Sequence, residues 1–144
     1  MKRIIMAVLL ISSVFILSGC IKNNKAITYT RFIESFKDKD GFLVDNQTLK
    51  YEDKFERCLE ASGNNVQFLY YEFKTEDQAK KYISDNYKNR KKFRYNDNKK
   101  YITVKCTDKM YFYAIQIDKI VIIGDSPIKS NKKIIKSVFK EFGY

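Results

Sequence analysis

Three consecutive runs of β-branched and aromatic residues constrain the fold of this chain more than any other feature. They lie in the C-terminal half, at residues 101–106, 110–117 and 120–123, and short polar turns separate them. Such side chains favour extended backbone, and turns of two or three residues join antiparallel neighbours. The three runs therefore predict an antiparallel meander.

A further pair of strands is predicted upstream of the meander. Residues 62–65 read Ser-Gly-Asn-Asn, which is a strong turn sequence, and residues 66–73 have the composition of a strand. Residues 51–61 allow two interpretations. Apolar side chains recur every four positions from Tyr51 to Leu59, which favours a helix, whereas the following turn favours a strand. We favour a hairpin across the turn.

Three segments carry helical signals. Residues 28–39 have an apolar stripe at helical spacing and begin with threonines that can cap a helix. Residues 75–92 begin with Thr-Glu-Asp-Gln, the pattern of a capping box. A last helix is expected, with Ser130 as its N-terminal cap. It places its apolar side chains on one face: Ile134, Ile135, Val138, Phe139 and Phe142.

The predicted element order is helix, strands, helix, meander, helix. Runs of strands that are segregated from helices are typical of an α+β fold. We therefore expect an α+β domain with a mainly antiparallel sheet and with its helices packed on one face. The other face of such a sheet can remain less covered.

The first twenty residues have the features of an exported precursor. Lys2 and Arg3 precede an apolar stretch at residues 4–17, which is too short to span a bilayer as a helix. The sequence Leu-Ser-Gly-Cys follows and ends at Cys20. This segment resembles the lipobox of bacterial lipoproteins. The resemblance implies that residues 1–19 are a cleaved signal peptide and that Cys20 carries a diacylglyceryl group.

A lipid on Cys20 would divide the chain into three parts. Residues 1–19 are the signal peptide, residues 20–27 are the lipidated cysteine with a short polar tether, and residues 28–144 are a single α+β domain. A fully extended tether reaches about 25 Å. Two acyl chains hold a protein firmly on a membrane. We expect a domain held close to the outer face of the cell membrane by membrane lipid.

The whole chain also resembles small uncharacterised lipoproteins of low-GC Gram-positive bacteria. The resemblance covers most of the chain and rests on short structural motifs, which are Phe32, Gly41-Phe42, Tyr71-Glu72-Phe73, Glu76-Asp77 and Phe142-Gly143-Tyr144. It implies an extracytoplasmic location and the fold. It implies no activity.

The composition removes several classes of chemistry. The 144 residues include no histidine, so neither a histidine-dependent nucleophile nor a histidine-liganded zinc can be built. The formal charge is +11, and removing residues 1–19 takes away Lys2 and Arg3 and no acid, which leaves +9. A basic domain beside a membrane attracts anionic lipids and polymers. An A+T-rich genome would also raise the lysine content without any such partner.

Two cysteines remain in the predicted domain. Cys58 and Cys106 could form a disulfide that closes a loop of 48 residues, or both could be small buried side chains. Two thiols without histidine offer too few soft ligands for a metal site. We expect no metal and no cofactor.

The densest group of cations is the basic segment, residues 88–100. Its cations are interleaved with Phe93 and Tyr95, as in surfaces that bind polyanions. They are Lys88, Arg90, Lys91, Lys92, Arg94, Lys99 and Lys100. Cations at the C-terminal end of a helix are also favoured by its dipole, so a solvated helix end explains them equally simply. An envelope polymer is the expected polyanion, and nucleic acid is not expected.

Other polar and aromatic groups give weaker signals. Acids cluster at Glu34, Asp38 and Asp40 and again at Glu52, Asp53 and Glu56, but no spacing marks a catalytic pair. Several strand tyrosines could form a binding surface or complete the core. They are Tyr70, Tyr71, Tyr101, Tyr111 and Tyr113.

Together these features predict a binding or interaction module at the cell surface that is not an enzyme. Its expected partner is an anionic envelope polymer or another surface protein. An inhibitor or immunity-type lipoprotein is the alternative, followed by a carboxylate-dependent envelope enzyme.

Overall fold

A computed structural model describes residues 26–98 and 100–144, which form one seven-stranded antiparallel sheet with helices on both faces. Cys20 and Lys99 lie outside the described residues. The strands lie across the sheet in the order β1-β2-β3-β7-β6-β5-β4, and every neighbouring pair is antiparallel. The first and second halves of the chain thus meet at the pairing of β3 with β7.

The helices are α1 (Tyr29–Lys37), α2 (Glu76–Tyr87) and α3 (Lys132–Glu141). The strands are β1 (Leu43–Asn46), β2 (Arg57–Gly63), β3 (Val66–Glu72), β4 (Arg94–Asp97), β5 (Ile102–Cys106), β6 (Tyr111–Ile117) and β7 (Ile120–Ser126). Two short 3-10 turns, Thr48–Tyr51 and Lys129–Asn131, precede β2 and α3.

The α+β class, the antiparallel sheet and the order of helices and strands are therefore confirmed. The hairpin across residues 64–65 is also confirmed, because β2 pairs with β3 through this turn. Asn64 and Asn65 both have positive φ angles, near 52° and 57°, as a type I′ turn requires. This turn type matches the twist of the two strands that it joins.

The helices differ from the expectation in that they do not all lie on one face. We call the side covered by α1 and α3 face A and the side covered by α2 face B. Along β7, Ile122 packs with Phe36 and Phe139 on face A, and Val121 packs with Ile83 on face B. Because the central strands are apolar at successive positions, both of their faces need a cover.

The local signals for helix α2 act as the sequence predicts, whereas those for α3 do not. The hydroxyl of Thr75 accepts a hydrogen bond from the backbone of Gln78, and the Gln78 side chain accepts one from Thr75, which completes the capping box. Helix α3 begins one residue later than expected, with Asn131 and not Ser130 in the cap position. Ser130 belongs to the preceding 3-10 turn and does not cap α3.

Two other boundaries also differ from the sequence prediction. Ile27, placed at the end of the tether, is buried in the core on face A. Strand β4 lies within the basic segment, in which no strand was predicted. Strand β4 is held by its backbone pairing with β5, and its mostly polar side chains give no strand pattern in the sequence.

Candidate anion-binding groove

Face A is incompletely covered at its β4–β5 end. Helix α1 packs its rings over β3, and α3 packs over β7 and β6. Beyond α3 the outward residues of the sheet stay partly or fully exposed, among them Thr103 and Lys105 of β5. A recess of about 490 Å³ remains between α3 and this part of the sheet.

We call this recess the lysine–tyrosine groove. It is lined by Lys105, Tyr111, Tyr113, Lys136, Phe139, Lys140 and Tyr144. A smaller recess of about 220 Å³ shares Lys105, Tyr113 and Tyr144 and continues to Asn96 on the edge strand β4. The concave surface therefore runs from α3 to the edge of the sheet.

Aromatic rings form the floor of the groove and support its cations. The ring of Tyr113 meets that of Phe139 edge to face, with 4.5 Å between their centroids. The Nζ atom of Lys105 lies 5.1 Å from the centre of the Tyr113 ring, and that of Lys132 lies 5.7 Å from the centre of the Tyr111 ring. These are favourable cation–π distances, which hold both ammonium groups beside the floor.

The charged side chains that line the groove are all lysines, and no Asp or Glu side chain lines either recess. Helix α3 carries Lys132, Lys136 and Lys140, whose spacing of four residues places successive cations about 6 Å apart along one side of the helix. Among the described residues, no Asp or Glu side chain forms an ion pair with these three lysines or with Lys105. The site can therefore hold an anion with several negative groups.

The C-terminal end of α3 places Tyr144 in the groove. The backbone N–H of Tyr144 donates to the carbonyl of Phe139 (2.8 Å) and that of Gly143 donates to Lys140 (3.0 Å), which together form a Schellman motif. Gly143 has a φ of 95°, a conformation that glycine adopts without strain. Helix termination thus fixes the position of the last side chain.

The tyrosines of the groove stay neutral. Burial raises the pKa of Tyr111 and of Tyr113, and it raises the pKa of Tyr144 to about 12. The hydroxyl of Tyr144 also accepts a hydrogen bond from the backbone N–H of Ile27 (3.2 Å). Neutral hydroxyls add hydrogen-bonding capacity without reducing the positive charge.

The described cations of the basic segment, by contrast, line neither recess. They are all exposed, namely Lys88, Arg90, Lys91, Lys92, Arg94 and Lys100. Arg90 lies over the rings of Tyr87 and Phe93, and Lys92 pairs with Asp108 at 3.5 Å. Only Arg94 approaches the groove, since its register partner on β5 is Lys105. Part of this segment's charge is thus already engaged within the protein.

Of the two alternatives that the sequence left open for Cys58 and Cys106, the structure shows two separate buried thiols and no disulfide between them. Cys58 lies on β2 and Cys106 on β5, with three strands between them. Strands are about 4.8 Å apart, which separates these two by about 19 Å, whereas a disulfide needs Cα atoms within about 7 Å. Burial raises the pKa of Cys58 to about 11, so its thiol stays protonated and unreactive.

The strand tyrosines divide between core and surface. Tyr70 and Tyr111 are buried, and Tyr71, Tyr101 and Tyr113 are half-buried. Only Tyr111 and Tyr113 line the groove described above, while Tyr101 lines its extension toward β4. The sequence therefore identifies part of the aromatic floor, but not which rings share a face.

The acids singled out in the sequence do not form a catalytic pair. Those in both clusters are exposed, and Glu56 is paired with Lys119 at 2.8 Å. On face B, burial, followed by the charge of Glu60 two strands away, raises the pKa of Asp125. No group of three or more acids or cysteines among the described residues could hold a metal ion.

Face B has its own recess, of about 350 Å³, between the segment that precedes β2 and the sheet. Phe55 covers it from this segment and stacks on Tyr71 at 4.4 Å, almost parallel. Its lining includes Lys50, Lys54 and Glu60, so this recess carries charges of both signs. The groove on face A is therefore the recess with the more uniform charge.

The main components of the groove were not identified from the sequence. Lys105 is the one cation at an outward position of β5, and Lys136 and Lys140 repeat at helical spacing on α3. These two patterns were visible, but they lie some 30 residues apart in the chain. Only the position of α3 beside β6 brings them together.

No family model, no curated protein and no solved structure matches this chain. No helix among the described residues is long and apolar enough to cross a membrane. What the groove binds must therefore be inferred from its own chemistry. Four ammonium groups around neutral aromatic rings favour a ligand that carries several negative charges.

Proposed function

We propose that this chain is a lipid-anchored, extracytoplasmic binding module without enzymatic activity, and that it binds an anionic ligand in the lysine–tyrosine groove. The observation that carries the proposal is the grouping of Lys105, Lys136 and Lys140 around Tyr113 and Tyr144 with no Asp or Glu side chain in the lining. Because no described Asp or Glu side chain pairs with these lysines, their charge is available to an anionic ligand.

The lipid anchor in this proposal is supported by the N-terminal sequence. Two cations, an apolar stretch and the Leu-Ser-Gly-Cys box occur in the order that exported lipoproteins use. A diacylglyceryl group on Cys20 would keep the domain at the membrane, where anionic lipids and polymers are concentrated. The anchor and the groove then serve one purpose, which is to hold the domain and an anion together.

The anchor is tested by the mass of the protein extracted from membranes. We expect the loss of residues 1–19 and the addition of a diacylglyceryl group on Cys20. Cys20→Ala should release the protein from the membrane fraction or mislocalise it. Recovery of the complete, unmodified chain from the soluble fraction would contradict the proposal.

The groove is tested with linear inorganic polyphosphate as the probe. Lys136→Gln combined with Lys140→Gln should weaken binding about tenfold or more, because each cation at an anionic surface is worth about 1 kcal/mol. The matched control is Lys37→Gln with Lys74→Gln, two exposed lysines that are in no described ion pair. The control has the same net charge and should bind within about twofold of the wild type. Equal losses would show that affinity follows net charge alone.

A further inference from the structure

The groove lies where the chain enters the folded domain. Ile27 is buried, and its backbone N–H donates to the hydroxyl of Tyr144, which lines the groove. The residue that follows the tether and a residue that forms the ligand site are therefore in direct contact. Any anchor carried by the preceding residues is attached to the domain beside the groove.

The length of chain before Ile27 limits how far the groove can lie from a lipid on Cys20. Seven peptide units separate these residues, which extend to about 25 Å at most. A lipidated Cys20 is fixed at the bilayer surface, so Ile27 stays within about 25 Å of the headgroup layer. Lys105 and Lys140 line the same groove as Tyr144, which Ile27 contacts. The short tether gives this surface a high effective concentration at the groove.

The side chains of the groove suit the boundary between water and lipid. Tyrosine has an apolar ring with a polar end, and lysine has a long apolar stem that carries its charge to the surface. Three strand acids, Asp45, Glu60 and Asp125, lie on the opposite side, on face B. Glu72 of β3 lies on face A, but it is ion-paired with Arg57 and Lys119. An anionic surface would therefore attract face A and repel this part of face B.

We propose that the anionic ligand of the groove is the phospholipid headgroup layer of the membrane that holds the anchor. The inference rests on the proposed function, because it assumes both the lipid on Cys20 and an anion in the groove. The domain docks with α3 and the β4–β6 end of face A against phosphate groups, and face B is turned away from the membrane.

The test uses the lipidated protein in nanodiscs of neutral phosphatidylcholine, with or without anionic phosphatidylglycerol. A fluorophore is attached through Ser137→Cys, at an exposed position of α3, or through Asn89→Cys, an exposed position just after α2. Cys58 and Cys106 are buried and should not react in the folded protein. Quenching by nitroxide-labelled headgroups reports whether each site lies at the bilayer.

Docking predicts strong quenching at position 137 and little at position 89, in anionic nanodiscs only. Lys136→Gln with Lys140→Gln should lower the ratio of docked to free domain about tenfold, whereas Lys37→Gln with Lys74→Gln should leave it nearly unchanged. Raising the salt from 0.1 to 1 M shortens the screening length from about 10 to about 3 Å and should release the domain.

The other outcomes each overturn a defined part of the inference. Quenching at position 89 instead would assign membrane contact to the basic segment, and equal quenching on neutral and anionic discs would remove the role of charge. No docking, with groove-dependent binding of polyphosphate retained, would overturn the membrane as ligand and leave the proposed function standing. Loss of both would overturn the two proposals together.

Discussion

The two faces of the sheet are covered by different helices, and a different end of the sheet is left open on each face. On face A the helices cover the β1–β3 and β7 regions, and the open corner lies at β4–β5 with lysines around it. On face B α2 covers β5 to β7, and the open corner lies toward β1, with Asp45 and Glu60 beside it. A single sheet thus separates charge across its thickness while its centre is buried on both sides.

The largest expected effect is the loss of stability when a buried side chain is truncated in the core of face A or in that of face B. Phe36 on face A lies within 5.5 Å, centroid to centroid, of three other rings, those of Phe32, Phe42 and Phe68. We expect Phe36→Ala to reduce the free energy of unfolding by about 3–5 kcal/mol and Ile83→Ala, on face B, by about 2–5 kcal/mol. Chemical denaturation of both variants measures this. A negligible effect of either would show that one face does not contribute to a shared core.

The next effect concerns the close approach of α3 to β7. A methyl group at Gly124 would lie 2.9 Å from the Phe139 ring and 3.0 Å from Ile135. Gly124→Ala should therefore cost about 1–3 kcal/mol through overpacking. Ile123→Val, which acts on face B of the same strand, is the control and should cost about 0.5–1.5 kcal/mol. Thermal unfolding distinguishes the two, and a stable Gly124→Ala would mean that α3 can move away from the sheet.

A smaller effect connects helix termination with the groove. Gly143→Ala places a side chain at a positive φ, which costs about 1 kcal/mol, and loosens the motif that holds Tyr144. We expect a modest fall in melting temperature together with weaker binding of polyphosphate. The same fall in melting temperature with unchanged binding would show that the position of Tyr144 does not matter for the ligand.

The smallest effect concerns the buried carboxyl group of Asp125 on face B. Because the pKa of Asp125 is raised in the folded state, the fold favours its protonated form. This contribution is present below the unfolded pKa and is lost as the pH rises through the folded value. Asp125→Asn should therefore be more stable than the wild type at pH 7, and the difference should shrink near pH 4. Thermal unfolding at both pH values is the measurement, with Glu60→Gln as a weaker companion, and a constant difference would contradict the assignment.

The parts of the fold that could be predicted depend on short-range signals. The capping box at Thr75 and the Asn64-Asn65 turn each specify local backbone geometry, and both occur as predicted. Strand β4 could not be predicted from the sequence, because its side chains are mostly polar. Backbone pairing with β5 is what holds it in an extended conformation. Local sequence describes a strand poorly when pairing, and not burial, holds it in place.

The sequence of β7 indicates that helices cover both faces of the sheet. Residues 120–123 are apolar at every position, which indicates a strand buried on both faces. The amphipathic pattern of each helix shows that it packs on the sheet but not on which face. The groove was harder to predict from the sequence, because it forms only where α3 packs beside β6 and comes close to β5. Its charge was visible in the composition, whereas its shape was not.

The contact between Ile27 and Tyr144 has a practical consequence for handling this protein. It brings Ile27 and Tyr144 together, so a bulky affinity tag attached next to Tyr144 would crowd the lysine–tyrosine groove. Material tagged there could then fail to bind for reasons unrelated to its sequence. An epitope inserted in the exposed turn at residues 107–109 would avoid this.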